Sequence, residues 1–299
     1  MKTYRIIPII ILAALVMLTG CEKDAVNVKP FNVESKLVVH AFISPQDTVI
    51  KVHLQKSQPA IGRKLSDEQL QVKNANVRIT DGSSTVTLTY DPAHNAYFTK
   101  PDEWPIVAGK TYKLNVTAPG GFSATGSCTV PLASGVAITD VSSSSTKEPD
   151  YYGYETYQYK VRYKWTDAPG VDNYYRTLAT RIYWYKDYNG NRQEGVNPLY
   201  MDHGKPGLYK DDKAQGGVLV SDDFYFYEGT QAEVEKPYRL HLLLVVADKH
   251  YYMHQDAQHK QSQSNGNPFA EPVVMYSNIE GGLGVFAGYN QVEAFADIE

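Results

Sequence analysis

The chain has 299 residues, 33 of them acidic and 29 basic, for a formal net charge of −4, so it carries no basic excess suited to a nucleic-acid backbone. Its two cysteines, Cys21 and Cys128, are too few for a disulfide-stapled framework, and the length suffices to bury a core by packing alone. The outlier in composition is tyrosine, with 24 residues against 9 Phe and 3 Trp.

Lys2 and Arg5 open the chain, and Ile6 to Leu18 follow without a charge, interrupted only by Pro8. That uncharged run has 13 residues. At ~1.5 Å per residue it reaches ~20 Å, short of the ~30 Å hydrocarbon core, so residues 1–20 read as a signal peptide rather than a spanning helix. The run ends Leu18-Thr19-Gly20-Cys21, which resembles the lipobox of bacterial lipoproteins. The resemblance implies a diacylglyceryl group on the Cys21 thiol, cleavage before Cys21 and acylation of the new amine. Each buried methylene contributes about 0.8 kcal/mol and one chain holds only marginally, whereas two or three fasten a water-soluble body to the lipid bilayer. With Cys21 so modified, Cys128 has no partner for an intrachain disulfide. Glu22-Lys23-Asp24 leaves the bilayer at once and resembles the surface-export signals of Bacteroidota lipoproteins. Residues 21–35 then read as a lipidated tether.

Strands begin at "KLVVHAFI", where Leu37, Val39, Ala41 and Ile43 share a face, and continue with Ile50, Val52 and Leu54. Gln55 to Gln69 is polar and reads as a loop. "NANVRITDG" sets Ala75, Val77 and Ile79 inward and closes on an Asp81-Gly82 hairpin signal. "TVTLTY", "GKTYKLNVTAPGG" and "FSATGSCTVP" alternate in the same way. About seven short strands within residues 36–132 predict an immunoglobulin-like or transthyretin-like sandwich.

A boundary falls near Pro131–Gly135, and residues 136–299 read as a second, mainly antiparallel β domain that opens with a strand, "VAITDVSSS", leading into polar Ser142 to Asp150. Its clearest strand is "ETYQYKVRYKW", with Tyr157, Tyr159, Val161, Tyr163 and Trp165 on one face and Lys160, Arg162 and Lys164 on the other, a solvated face. "YYRTLATRIYWY" leads to a hairpin signal at Asn189-Gly190. Residues 191–236 are Gly-rich and read as irregular apart from "GVLVSDDFYFY". "YRLHLLLVVA" is apolar on both faces and predicts a central strand. Asp248 can cap one short helix, with Tyr251, Met253 and Ala257 along one side, and Gly266 can stop it. The tail returns to strand. The fold class expected is therefore all-β.

At Asn267 to Asn290 the chain reads "NPFAEPVVMYSNIEGGLGVFAGYN". This stretch resembles the C-terminal signature of a Bacteroidota lipoprotein family catalogued as domain of unknown function 4249. The lipobox cysteine, "KLVVHAFI", "NANVRITDG", "AGKTYKLNV" and "DNYYR" follow in similar order. The resemblance implies an outer-membrane lipoprotein, often encoded beside TonB-dependent transporters, and no established reaction. Its tyrosine load and the length of residues 191–236 depart from the usual pattern.

No residue set points to catalysis. His250, His254 and His259 lie on a polar helix without the intervening glutamate of zinc peptidases and read as solvated, so no metal is expected. "EGGLGVFAG" lacks the Lys-Ser/Thr of a phosphate loop and reads as a bulged strand packed close to another segment. Asn278 before it can bond backbone or a ligand. Asp211-Asp212 and Asp222-Asp223 read as loop carboxylates without calcium-hand spacing, and Cys128 as a small core residue. Eleven of the tyrosines lie between Tyr151 and Tyr188. They fit either an ordinary core or a contact surface through Tyr151, Tyr152 and Tyr154.

The expectation is a non-enzymatic, cofactor-free outer-membrane lipoprotein at the cell surface, accessory to a TonB-dependent transporter or a similar β-barrel. A stand-alone adhesin or glycan binder is the alternative, and a hydrolase would need carboxylates converging under the 191–236 segment. Cys21→Ser is expected to abolish incorporation of radiolabelled palmitate and to release the chain from the membrane fraction.

Overall fold

The computed structural model describes residues 34–58, 64–168, 170, 172–202, 204–213, 217–229, 234–264, 271 and 273–299. The signal segment, Cys21, the tether up to residue 33, the expected helix stop at Gly266, and Asn267–Ala270 and Pro272 of the C-terminal signature lie outside the described residues. Nearly all of the described chain forms one β body.

The first strands are β1 (Leu37–Ile43), β2 (Ile50–Lys56), β3 (Asn76–Thr80), β4 (Thr85–Asp91), β5 (Ala96–Thr99), β6 (Thr111–Ala118) and β7 (Phe122–Thr129). Their alternating apolar residues face one another as a core: Leu37, Val39, Ala41 and Ile43 from β1, Ile50 and Val52 from β2, Val77 and Ile79 from β3, and Tyr112, Leu114 and Val116 from β6. Cys128 lies buried in the same core, as its strand-like surroundings predicted. The β3–β4 turn falls at Asp81-Gly82, where Gly82 takes φ +88° and the Asp81 carboxylate accepts from the Ser83 and Ser84 amides. The polar stretch before β3 contains one element that periodicity does not show, α1 (Asp67–Leu70). It is nucleated by a capping box, with Ser66 Oγ accepting from the Gln69 amide while Gln69 Oε1 accepts from the Ser66 amide.

The remaining strands are β8 (Ile138–Pro149), β9 (Glu155–Thr166), β10 (Tyr174–Lys186), β11 (Arg192–Pro198), β12 (Tyr200–Met201), β13 (Leu208–Lys210), β14 (Val218–Val220), β15 (Phe224–Gly229), β16 (Val234–Ala247) and β17 (Gly282–Ile298), with α2 (Lys249–Ser264) between the last two. They form two sheets. The larger runs β11-β10-β16-β17-β1-β2-β5-β4-β3-β6-β7, with β13 also on β10; the smaller runs β12-β15-β9-β14, with β8 on the other edge of β9.

The smaller sheet covers β10, β16 and the second half of β17 and encloses a second core. Tyr159, Val161, Tyr163, Trp165, Phe224 and Phe226 meet Tyr175, Tyr238, Leu240, Leu242 and Leu244 there. The fold is thus all-β and sandwich-like, with one longer helix.

β17 joins the two cores. Residues 282–288 pair in parallel with β1, and residues 289–298 pair antiparallel with β16. Phe286 enters the first core, while Val285 and Ala287 face the other way and meet Tyr251 of α2 and Val245 and Ala247 of β16. A strand covered on both faces must be apolar on both, and this accounts for the unbroken "LLLVVA" of β16 as well. The sheet curls until β7 returns to β17, where Thr125 and Glu280 exchange backbone hydrogen bonds of 2.9 and 2.8 Å.

Residues 191–236 hold more strand than expected. β11 and β12 are polar or very short, and β11 lies at a sheet edge with most side chains exposed, so no face has to be apolar. What sets the register of β11 is the Asn189-Gly190 turn. The polar β8 has the same origin: it is an edge strand paired along nearly the whole of β9.

Gly284 is where β17 and β1 come closest. It takes φ +104°, and a Cβ added there would stand 2.0 Å from the Val39 carbonyl oxygen. Gly284→Ala is expected to destabilise the chain by about 3 kcal/mol or more. Gly190→Ala, at φ +80° with nothing nearby, is expected to cost only about 1 kcal/mol. Urea denaturation of the two variants measures both.

Candidate functional site

The tyrosines range from buried to fully exposed. Tyr159, Tyr163, Tyr175, Tyr209 and Tyr238 are buried, whereas Tyr151, Tyr152, Tyr154 and Tyr188 are 95%, 80%, 72% and 97% exposed. The sequence left β9 open between a core face and a contact face; its tyrosines belong to the core, and the exposed ones stand in turns.

Tyr151, Tyr152 and Tyr154 occupy the β8–β9 hairpin apex. Asp150 builds that turn: its Oδ1 accepts from the amides of Tyr152 and Tyr154, both at 2.9 Å. Gly153, at φ +85°, donates to the Asp150 carbonyl at 3.0 Å. The Tyr151 and Tyr152 rings meet edge to face with centroids 5.3 Å apart. Asp187 plays the same part in the β10–β11 hairpin, accepting from the Asn189 and Asn191 amides and leaving Tyr188 outside.

Both hairpins end at one end of the second sandwich. Thr156 of β9 pairs with Gly229, Tyr185 of β10 pairs with Val234, and Gly229 and Val234 are five residues apart in sequence. Just inside this end the two sheets are tied by polar contacts. Arg181 is buried against Glu228 and lies over the rings of Tyr183, Phe226 and Tyr238; Lys236 Nζ donates to Tyr159 Oη at 2.8 Å. The turn backbone is thus held by hydrogen bonds while its rings stand exposed.

Asn278 sits elsewhere and makes backbone contacts. Its Nδ2 donates to the carbonyls of Phe286 at 2.7 Å and Ser127 at 3.1 Å, and its Oδ1 accepts from the Phe286 amide at 3.0 Å. It bridges β17 to β7.

The helix histidines diverge. His254 is 3% exposed, His250 Nδ1 bonds the Tyr276 hydroxyl at 2.7 Å, and His259 reaches the Gly204 carbonyl. His254, and not Met253, is buried beside Tyr251 and Ala257, because α2 lies against His40 and Phe42 of β1. Burial is the main cause that lowers the pKa of His254. Among the described residues no group of three or more His, Cys, Asp or Glu is arranged to hold a metal ion.

Of the acidic pairs, Asp222-Asp223 is engaged with cations and a hydroxyl, Asp223 with Arg162 and Asp222 with Lys205 and Tyr209, while Asp211 accepts from the Asn173 amide at 3.0 Å. On the same strand face Lys164 pairs with Asp140. Cys128 is enclosed, and burial holds its thiol far up, the opposite of a nucleophile's requirement.

A surface that the sequence reading missed lies on the outside of the smaller sheet, where Tyr200, Tyr225 and Tyr227 gather. The alternating Phe224-Tyr225-Phe226-Tyr227 was its signal: phenylalanines in, tyrosines out.

These features define an all-β, two-core protein with tyrosine-bearing surfaces, and no described helix is long and apolar enough to cross a membrane. A profile described as "Domain of unknown function (DUF4249)" matches residues 24–294, and the chain belongs to that family. No curated protein matches it. A solved chain described as "Crystal structure of CBD12 from CALX1.2" is similar at 13% identity over 78% of this chain and 90% of that one, with a TM-score of 0.19. A likeness that loose carries no functional argument.

One buried acid is open to a direct test. Asp248 caps α2, accepting from the Tyr251 amide at 2.7 Å, and its other oxygen accepts from the Gly288 amide at 2.9 Å. Burial outweighs these bonds and pushes its pKa up to about 6. The folded state therefore holds more protons than the unfolded one between about pH 4 and 6, and stability falls as pH rises through that window. The fall is expected to be on the order of 1–3 kcal/mol. Urea melts at pH 4 and pH 7 should show it, and Asp248→Asn should flatten it.

Proposed function

We propose that the chain is a non-enzymatic outer-membrane lipoprotein, held by acylated Cys21 and facing the cell surface. It serves as accessory subunit to a β-barrel partner of the TonB-dependent transporter kind. The observation that carries this reading is the tyrosine-tipped end of the second sandwich, with Tyr151, Tyr152 and Tyr154 standing free on a turn that Asp150 holds in shape.

Placement supports it. The chain enters the body at Leu37, which pairs with Gly282 at the start of β17, while the tyrosine apex lies beyond the other end of that strand. The strand has 17 residues. At ~3.3 Å per residue it is roughly 55 Å long. The tether from Cys21 to Leu37 covers 16 residues. At ~3.5 Å each it can extend to roughly 55 Å. A tether of that reach lets an anchored chain approach a neighbour in the same membrane. Rings presented in this way supply apolar area and a polar tip at little conformational cost on binding.

Crosslinking in intact cells, followed by purification of the tagged full-length chain from membranes, tests the reading. A β-barrel protein is expected to co-purify. Tyr152→Ala together with Tyr154→Ala should lower its recovery about tenfold or more, as for two interface hot spots, with melting temperature and membrane fraction unchanged. Recovery of no β-barrel, or recovery indifferent to the two substitutions, overturns it.

A further inference from the structure

The outer face of the smaller sheet carries a second aromatic surface, distinct from the hairpin apex. Tyr225 and Tyr227 of β15 point outward while Phe224 and Phe226 are buried in the second core. β12 sets Tyr200 opposite Tyr225, and β9 sets Lys160 opposite Tyr225 and Gln158 opposite Tyr227. Together with Met201 and Asp202 these residues line a groove of about 540 Å³. On the far side of β9, β8 places Ser144 opposite Lys160 and Thr146 opposite Gln158.

The groove is built and polar. Gln158 Nε2 donates to Tyr227 Oη at 2.9 Å, and Tyr225 Oη donates to Asp223 Oδ2 at 3.4 Å. Lys160 Nζ lies 5.6 Å from the Tyr225 ring centre, and among the described residues it makes no ion pair, so its ammonium keeps donors for a ligand. Yet Tyr200 is 70% and Tyr227 56% exposed. Large rings left outside beside an amide, a carboxylate and an ammonium suit a ligand that is apolar on one face and hydroxylated at its rim.

We propose that this groove is a carbohydrate-binding site for a short neutral oligosaccharide. A pyranose offers a C–H face that stacks on an aromatic ring and equatorial hydroxyls that bond side-chain amides and carboxylates. Tyr200 and Tyr227 supply the stacking surfaces. Gln158 Oε1 accepts from hydroxyls, and Lys160 donates to them. One carboxylate and one ammonium line the groove, so it selects for neither an anionic nor a cationic ligand. Strands lie ~4.8 Å apart and alternate residues ~6.8 Å apart along a strand, which puts the three rings within reach of successive sugar units. Tyrosine holds such a platform with only two rotatable bonds to fix. A protein partner would be expected to ask for a more continuous apolar patch than this one.

The site lies on the flank of the second sandwich and is independent of the docking reading, which rests on Tyr152 and Tyr154. The test is calorimetric titration and affinity electrophoresis of the purified full-length chain, in a detergent without a sugar headgroup. The probes are neutral hexasaccharides of glucose, xylose, mannose and galactose, with oligogalacturonate as the charged control. At least one neutral probe is expected to bind at micromolar to millimolar concentration. Tyr200→Ala and Tyr227→Ala, both on exposed rings, should each weaken that binding about tenfold or more, in the range of an aromatic hot spot. Lys160→Met should weaken it by a smaller factor without touching the platform. The Tyr152→Ala, Tyr154→Ala variant should bind as the wild type does. Binding by no neutral probe, preference for oligogalacturonate, or affinity unchanged in Tyr200→Ala, Tyr227→Ala and Lys160→Met overturns the proposal.

Discussion

The parallel pairing of β1 with the first half of β17 is the contact on which the rest of the body depends. It brings together segments some 245 residues apart in sequence, the register running Leu37 to Gly282 through Ile43 to Gly288. Closing so long a loop costs entropy before any contact repays it. The return comes on three sides at once: Phe286 fills the first core, Val285 and Ala287 support α2, and the second half of β17 lines the second sandwich. Gly284 and Gly288 are the condition for this, since a side chain at either would strike backbone, Val39 at the first and Thr129 and Val130 at the second. Asn278 reinforces the same joint by bonding Phe286 and Ser127 together.

The tyrosine load has a matching physical account. A buried phenol without a partner costs about 1–3 kcal/mol, and the buried tyrosines have partners. Tyr163 donates to the Leu243 carbonyl at 3.0 Å, Tyr175 to Asp167 at 2.6 Å, Tyr209 to Asp222 at 2.9 Å and Tyr97 to the Val72 carbonyl at 3.0 Å. Tyr112 accepts from the Val107 amide at 2.7 Å. The hydroxyls of Tyr97, Tyr112, Tyr175 and Tyr209 reach residues between strands and tie loops to sheets, while Tyr163 reaches across the core to β16. Burial raises the pKa of Tyr163, Tyr175 and Tyr209 above the ordinary phenol value, which keeps these hydroxyls protonated and able to donate.

The two tyrosine surfaces that remain outside are therefore not leftovers of an overfull core. One is at a turn, where Asp150 orders the backbone and leaves the rings free; the other is on a sheet face, where Tyr225 and Tyr227 alternate with core phenylalanines. A body with an aromatic end and an aromatic flank is suited to touching two things at once, a neighbour and a ligand, and this is how the docking and carbohydrate proposals fit one molecule.

Much of the body was legible in the amino-acid order because its local rules are strong. Period-two alternation identified β1, β2, β6 and β9, Asp81-Gly82 and Asn189-Gly190 identified two hairpins, and apolarity on both faces identified β16 as a covered strand. The first half of β8 was legible as "VAITDVSSS", but its polar second half, β11 and β12 were not, since an edge strand is held by backbone bonds and needs no apolar face. α1 escaped because a single capped turn carries no periodicity, though its Ser66–Gln69 box was written in the chain. Which tyrosines face water, that His254 rather than Met253 turns inward, and that Asn278 bonds backbone were decided by tertiary structure alone. Each depends on a partner far away in sequence: Tyr200 opposite Tyr225, α2 against β1, and Asn278 against β7. Local order sets which faces a strand can offer; only packing against distant segments decides which of them water still reaches.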